Sequence, residues 1–167
     1  MINLINNLLI DSSFYYIKRD YVVEKIEFRN RTFYAKFEKI GDQLNVKIIQ
    51  DHLDKKITIA STLIKDGYTN NLVLIYNGDD GAKFYHTVKQ LFLAIKIEKY
   101  YIFKGKSEKH IQVFIPVHKM DLDEATKKLQ VISKSLELKL PLEWQTLPNI
   151  NLPIDYNIFT LPYEIYE

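Results

Sequence analysis

The sequence predicts an α+β fold, and three patterns carry that prediction. Leu72 to Tyr76 is an unbroken apolar run of strand length, with the β-branched and aromatic residues of a strand covered on both faces. Phe84, Val88, Leu91, Phe92 and Ile95 then recur at helical spacing. Tyr100 to Phe103 and His110 to Ile115 read as a hairpin around a lysine-rich turn, with Pro116 ending its second strand. With 167 residues, 47% of them hydrophobic, the chain can bury a core as a single domain. Within 1–167, residues 1–70 form a lobe of N-terminal helices and a hairpin, and residues 71–167 a second lobe built on the elements just described.

Taken in order, Ile2 to Ile10 and Phe14 to Ile26 read as helices, the second capped by Asp11, Ser12 or Ser13 and placing Phe14, Ile17, Tyr21 and Val22 on one face. From Arg31 the pattern alternates. Phe33, Ala35 and Phe37 share one side, and after the Gly41-Asp42-Gln43 turn Leu44, Val46 and Ile48 share a face of the returning strand. Ile57 to Ile64 suits a strand at Ile57-Thr58-Ile59 and a short helix at Ala60, Leu63 and Ile64, and is assigned here as helix. Asp79 and Asp80 are placed in the turn after the Leu72 strand, where they favour the N-terminus of the next helix. Asp121 and Glu124 have capping-box spacing for a last helix that carries Leu122, Ala125, Leu129 and Ile132 inward. Beyond it, Pro141, Pro148, Pro153 and Pro162 divide short apolar pieces that read as edge strands and extended chain.

Composition removes several function classes. There are no cysteines, so disulfides, thiolate metal sites, iron–sulfur clusters and a cysteine nucleophile are excluded. No run approaches the roughly 20 apolar residues of a membrane span, and Met1 to Ile10 lacks the basic start and cleavage site of a signal peptide, so a soluble cytoplasmic protein without membrane partners is expected. A net charge of +2 is small for a nucleic-acid binder. Arginine occurs only at Arg19, Arg29 and Arg31, so any anion site further along must use lysine, histidine or backbone amides. Lysine is a point charge without the bidentate fork of arginine. His52, His86 and His118 are scattered without metal-ligand spacing, and His86 falls on a solvated helix face.

From residue 71 the order is strand, helix, strand, strand, helix, strand, the order of an RRM-like antiparallel sheet with helices on its face. Together with Phe14-Tyr15-Tyr16, Phe28-Arg29-Asn30-Arg31-Thr32-Phe33, the Leu72 to Asp80 strand and the Lys104-Gly105 to His110 hairpin, the chain resembles the archaeo-eukaryotic primase superfamily over nearly its whole length. That family's core has a strand with two acidic residues one apart, a helix, and a hairpin with a serine-glycine turn ending in histidine. The acidic pair falls here on Ile75 and Asn77, the serine-glycine on Lys104 and Gly105, and the histidine on His110. Asn149-Ile150-Asn151-Leu152-Pro153 through Tyr163 is similar in position to the nucleotide-holding strand and turn, without its arginines.

Two-metal nucleotidyl transfer needs carboxylates at i and i+2 of a strand, and Ile75 with Asn77 does not provide them. The resemblance is therefore to a degenerate primase fold, most like the noncatalytic third subunit of the heterotrimeric archaeal primase. It implies an accessory subunit that assembles with catalytic and large subunits and helps hold the initiating nucleoside triphosphate, DNA template or RNA primer. It implies no directly bound cofactor, magnesium or manganese residing in the catalytic partner. The alternatives are a shifted register with Asp79 and Asp80 as metal ligands, a viral or plasmid primase-like protein, and a plain interaction module whose pocket is vestigial. Candidate binding residues are Arg29 and Arg31, two apart and read as sharing a strand face, with Lys104, Gly105, Lys106, Lys109 and His110 around the hairpin turn. For Arg29 and Arg31 the competing role is salt bridges to Glu27 or Glu38. Trp144 reads as a partner anchor or a core residue, and at most one of each pair Tyr15/Tyr16 and Tyr100/Tyr101 can join a base-stacking platform.

Overall fold

The computed structural model describes Ile5, Leu8 and residues 10–166. In chain order these form β1 (Tyr15–Lys18), β2 (Glu24–Phe28), β3 (Arg31–Ala35), β4 (Phe37–Ile40), α1 (Val46–Leu53), β5 (Ile59–Thr62) and β6 (Tyr68–Tyr76). They continue as α2 (Gly81–Ala94), β7 (Tyr101–Lys104), β8 (Ile111–Asp121), α3 (Leu122–Glu137), β9 (Trp144–Leu147), a 3-10 turn (Ile154–Tyr156), β10 (Ile158–Thr160) and β11 (Glu164–Ile165). The fold is α+β, with its strands in three antiparallel sheets: β11-β7-β8-β6-β9, β10-β5-β1-β4 and the β2-β3 ribbon.

The alternation of β6 explains how the layers stack. Leu72, Leu74 and Tyr76 point to a core closed by Phe84, Val88 and Phe92 of α2 and by Ala125, Leu129, Ile132 and Leu136 of α3. Val73 points the other way, into a second core with Phe103, Phe114 and Leu147 of its own sheet and Tyr15, Ile59 and Phe159 of the four-stranded sheet. A strand with helices on one side and a sheet on the other has no polar face, hence its unbroken apolar run. The unit β6-α2-β7-β8-α3-β9, with sheet order β7-β8-β6-β9, is a split βαβ arrangement.

Local chemistry sets the helix starts. Asn45, Asp80 and Asp121 each accept the backbone N–H three residues on, from Ile48 (3.0 Å), Lys83 (3.0 Å) and Glu124 (2.8 Å). Such caps stabilise a helix by about 1 kcal/mol each. Between β6 and α2 the turn is built around Tyr76. Its hydroxyl accepts the Asp80 N–H at 3.0 Å and donates to Glu143 Oε2 at 3.2 Å, while its ring stacks on Phe84 at 4.4 Å.

Several sequence expectations are corrected. Phe14 to Ile26 is not a helix but β1 followed by the start of β2. β1 lies between β5 and β4, and its adjacent Tyr15 and Tyr16 are both buried, so no alternation shows. The strand from Arg31 pairs with β2, not with Leu44 to Ile48; that segment leads into α1, whose buried stripe is Ile49 and His52. Ile57 to Ile64 contains β5 rather than a helix, with all four strand residues buried. Pro116 does not end its strand: it pairs with Asn71 and β8 runs on to Asp121, with an irregularity in pairing between Asn71 and Thr69 of β6. The expected helix at Ile2 to Ile10 lies mostly outside the described residues. The Leu72 strand, its following helix, the lysine-rich hairpin and the Asp121 helix form as expected, and β9, β10 and β11 of the proline-rich tail are all edge strands.

The Tyr76 turn requires glycine at position 78. A Cβ there would lie 2.3 Å from the Tyr76 hydroxyl and 2.1 Å from Glu143 Oε2, whereas at Gly41 nothing lies within 4 Å. Gly78→Ala is predicted to cost about 1–3 kcal/mol of unfolding free energy by overpacking, and Gly41→Ala to change it by less than about 0.5 kcal/mol. Urea denaturation of both variants checks this.

Candidate functional site

Ile75 lines an open cleft of about 430 Å³. The cleft gathers Ile75 of β6, Gln145 and Leu147 of β9, Ala60 of β5 and Thr160 of β10, with β3 and the 3-10 turn on its other side. Tyr34, Phe37 and Tyr156 supply flat aromatic surface, and Lys18 and Lys36 supply charge. Neither lysine forms an ion pair among the described residues. Among the described residues the single carboxylate in the wall, Asp155, accepts a 2.7 Å hydrogen bond from the buried Tyr16 hydroxyl. Burial, and then that bond to Asp155, push the Tyr16 hydroxyl pKa well above the ordinary tyrosine range, so it stays a donor. The Tyr156 ring rests on Phe33 at 4.8 Å, and the Arg31 guanidinium sits 4.9 Å over that same Phe33 ring. The cleft thus has aromatic walls, unpaired cations and one carboxylate already engaged.

The polar residues nearest the end of β6 have other tasks. Asn77 is exposed, and its N–H bonds to the Glu143 carbonyl at 2.9 Å. Asp80 caps α2, and the exposed Asp79 pairs with Lys109 Nζ at 2.8 Å, which holds its carboxyl below the usual carboxylate range. Among the described residues no group of three or more His, Asp or Glu side chains is placed to hold a metal ion. The chemistry of this donor set does not fit two catalytic divalent ions.

The residues singled out around the hairpin and the N-terminal arginines do not converge on one site. Lys104, Gly105 and Lys106 line a small pocket of about 210 Å³ beside Lys55, while Lys109 turns away to Asp79 and His110 is not among the lining residues. The Gly105 amide donates to the His110 carbonyl at 2.8 Å and is not free for a ligand. A Cβ at Gly105 would come within 2.8 Å of the His110 Cβ, so the glycine serves hairpin closure. Arg29 and Arg31 do not share a strand face. Arg29 and Asn30 occupy the β2–β3 turn with left-handed φ values of 48° and 61°, and Arg29 Nη1 bonds to Asn151 Oδ1 at 2.6 Å. The proposed partners of the arginines are taken by others: Glu38 pairs with Arg19 at 2.7 Å, and Glu27 with Lys25 at 3.5 Å.

The aromatic candidates also resolve. Tyr15, Tyr16 and Trp144 are core residues, the Trp144 indole donating to Ser133 Oγ at 2.9 Å. Tyr100 and Tyr101 are half-buried, and His86 is exposed on α2 as expected. The sequence reading missed His52, which is fully buried, as well as Lys18 and Lys36. His52 Nδ1 accepts the Ile59 N–H at 3.0 Å, and Nε2 lies 2.8 Å from the Leu161 carbonyl, which fixes the neutral tautomer with Nε2–H as donor. Its position three residues after Ile49 on the apolar stripe of α1 was the available signal.

In sequence, residues 2–71 are similar to a domain of unknown function, DUF1882. That segment holds β1 to β5, α1 and the first residues of β6. No curated protein matches the chain. No helix among the described residues is long and apolar enough to cross a membrane.

Burial lowers the His52 pKa from 6.5, the leading cause, against a smaller raising effect of the Leu161 bond. A depressed folded-state pKa means that the unfolded chain binds more protons as pH falls through 6.5. Stability is therefore predicted to be full above pH 6.5 and to decline as pH falls toward the folded-state value. His52→Gln should be less stable at pH 7.5 yet show a flatter dependence between pH 7.5 and about pH 5, in thermal melts at constant ionic strength.

Proposed function

We propose that this protein is a noncatalytic binding protein that holds a nucleotide in the cleft at Ile75, and that it acts as an accessory subunit of a DNA primase. The observation that carries the reading is the combination at that cleft: Ile75 stands where metal-dependent transfer needs a carboxylate, while Lys18 and Lys36 remain unpaired beside aromatic walls. Flat rings offer stacking surface to a base, and lysine point charges attract phosphates without fixing their orientation. The cavity falls in the size range of small-ligand sites. In this role the chain supplies no metal ligand. Magnesium or manganese belongs to the catalytic partner, and the chain's contribution is to position nucleotide, template or primer in an assembly with the catalytic and large subunits. The ligand is thereby moved from the hairpin and the arginine pair, which do not meet, to the cleft.

The test combines binding, activity and capture. A fluorescent ATP analogue should bind the purified chain without divalent metal and weaken with added salt; Lys18→Glu with Lys36→Glu should weaken it at least about tenfold, the equivalent of about 1.4 kcal/mol. Ile75→Trp, which fills the cleft, should weaken it comparably while leaving the melting temperature within a few degrees. Primer extension by the purified chain with magnesium or manganese would overturn the noncatalytic reading, and unchanged binding by the lysine variant would overturn the cleft. Affinity capture from native lysate decides the assembly: absence of primase subunits, with nucleotide binding intact, removes the primase role and keeps the binding function.

A further inference from the structure

The β2–β3 ribbon stands apart from the other strands. Among the described residues neither of its strands pairs with another sheet, and its buried Phe33 and Ala35 belong to neither of the two cores. A two-stranded ribbon by itself is only marginally stable, so its position depends on what holds its ends. At the base the Arg19 N–H donates to the Lys36 carbonyl at 2.7 Å, and the Val23 N–H to the Ala35 carbonyl at 2.8 Å. Beyond that base, among the described residues, a single hydrogen bond joins the ribbon to the body: the 2.6 Å bond from Arg29 Nη1 to Asn151 Oδ1 at the tip. Between the two attachments the Phe33 ring meets Tyr156 at 4.8 Å.

The tip is a costly place for arginine. Phe28 pairs with Arg31, which leaves Arg29 and Asn30 as a two-residue turn, and both have positive φ, 48° and 61°. Such turns favour glycine, asparagine or aspartate, because a Cβ is crowded in the left-handed region. Asn30 follows that preference and Arg29 departs from it. What arginine supplies there, and glycine would not, is a guanidinium that reaches Asn151.

We propose that the ribbon is a lid on the Ile75 cleft, hinged at residues 19–23 and at Lys36 and latched by Arg29 on Asn151. The lid's role toward a ligand rests on the reading of that cleft as a nucleotide site. Tyr34 and Ala35 of β3 line the cleft together with Tyr156, the ring against which Phe33 packs. Swinging the ribbon out removes the Tyr34 side of the cleft and frees the Tyr156 ring. Lys18 lies in β1 opposite Phe37 of β4, and the Lys36 carbonyl is bonded to Arg19 directly after β1, so both cations stay with the body. Phosphates therefore meet the same lysines in either state, while the aromatic wall is complete only when the ribbon is latched. A ligand enters and leaves through the open form, and the latch sets how often that form occurs.

The test follows the ribbon and the ligand separately, in the full chain. There is no cysteine, so Lys25→Cys with Val131→Cys, both at exposed positions, carries one pair of spin labels, one on the ribbon and one on α3. Pulsed dipolar spectroscopy should give one distance with the latch intact. Asn151→Ala removes the acceptor and leaves the turn unchanged, whereas Arg29→Gly removes the donor and relaxes the turn. Each should add a second distance and raise the open-to-closed ratio about fivefold, as for one lost hydrogen bond. In stopped flow the fluorescent ATP analogue should bind and dissociate about fivefold faster in both variants, with Kd within about twofold of wild type. Unchanged distances in both variants overturn the lid, and so does a change in Arg29→Gly alone, which assigns the effect to the turn. Faster dissociation with an unchanged association rate overturns the gating and makes the bond an affinity contact. Failure of the wild-type chain to bind the analogue, with the second distance present in both variants, is a failure of the cleft reading and leaves the latched ribbon standing.

Discussion

The structure depends on one sheet being covered on both faces. Successive side chains of β6 and β8 enter different cores, Leu72, Leu74, Val113 and Ile115 beneath the helices and Val73 and Phe114 against the second sheet. Sheet-surface nucleic-acid binders leave the face opposite their helices open for stacking bases. Here Phe103 and Phe114 on that face meet at 5.6 Å, and Phe114 meets Phe159 of the second sheet at 5.2 Å, so the aromatic surface is already spent on packing. An open cleft is left at the rim, lined by Ile75 and by Gln145 and Leu147 of β9.

How much of this was legible in the sequence follows from how many faces each element buries. α2 and α3 bury one stripe each, so their helical periodicity survives, and their aspartate caps are visible in the residues themselves. β6 is buried on both faces, and its apolar run is equally plain. Misreadings arise in the first half. β1 buries adjacent tyrosines, and β5 buries Ser61 and Thr62 beside Ile59 and Ala60, so neither shows a period of two. In α1 the inward residue His52 counts as polar, which weakened the helical stripe and left the accidental alternation of Leu44, Val46 and Ile48. Pro116 misled differently, since β8 is long enough to carry the proline past an irregularity in its pairing.

The candidate site was less legible because it is assembled from distant segments. That Ile75 belongs to an apolar strand could be read from the chain; that it shares a cleft with Lys18 and Lys36 could not, because those lysines differ from their neighbours only in where β1 and the junction between β3 and β4 place them. Proximity in sequence to the hairpin glycine and histidine was a poor guide. A tight turn sends consecutive side chains in different directions, and Lys104, Lys106 and Lys109 end up with different surroundings. Because lysine is mobile and fully solvated when unpaired, its position carries little information until a cavity wall is seen beside it.

The four-stranded sheet is completed from the far end of the chain. β10, residues Ile158–Thr160, pairs along β5, and on either side of it the Leu63 N–H bonds to Asn157 and the Leu161 N–H to Ile59. The segment similar to DUF1882 ends at residue 71 and so contains three of the four strands of that sheet. A boundary drawn by sequence likeness at that point is therefore not a folding boundary. Cut there, the fragment would present the backbone of β5 as an open edge and uncover Ile59 where Phe159 had packed, the two conditions under which a β-sheet recruits a strand from another molecule.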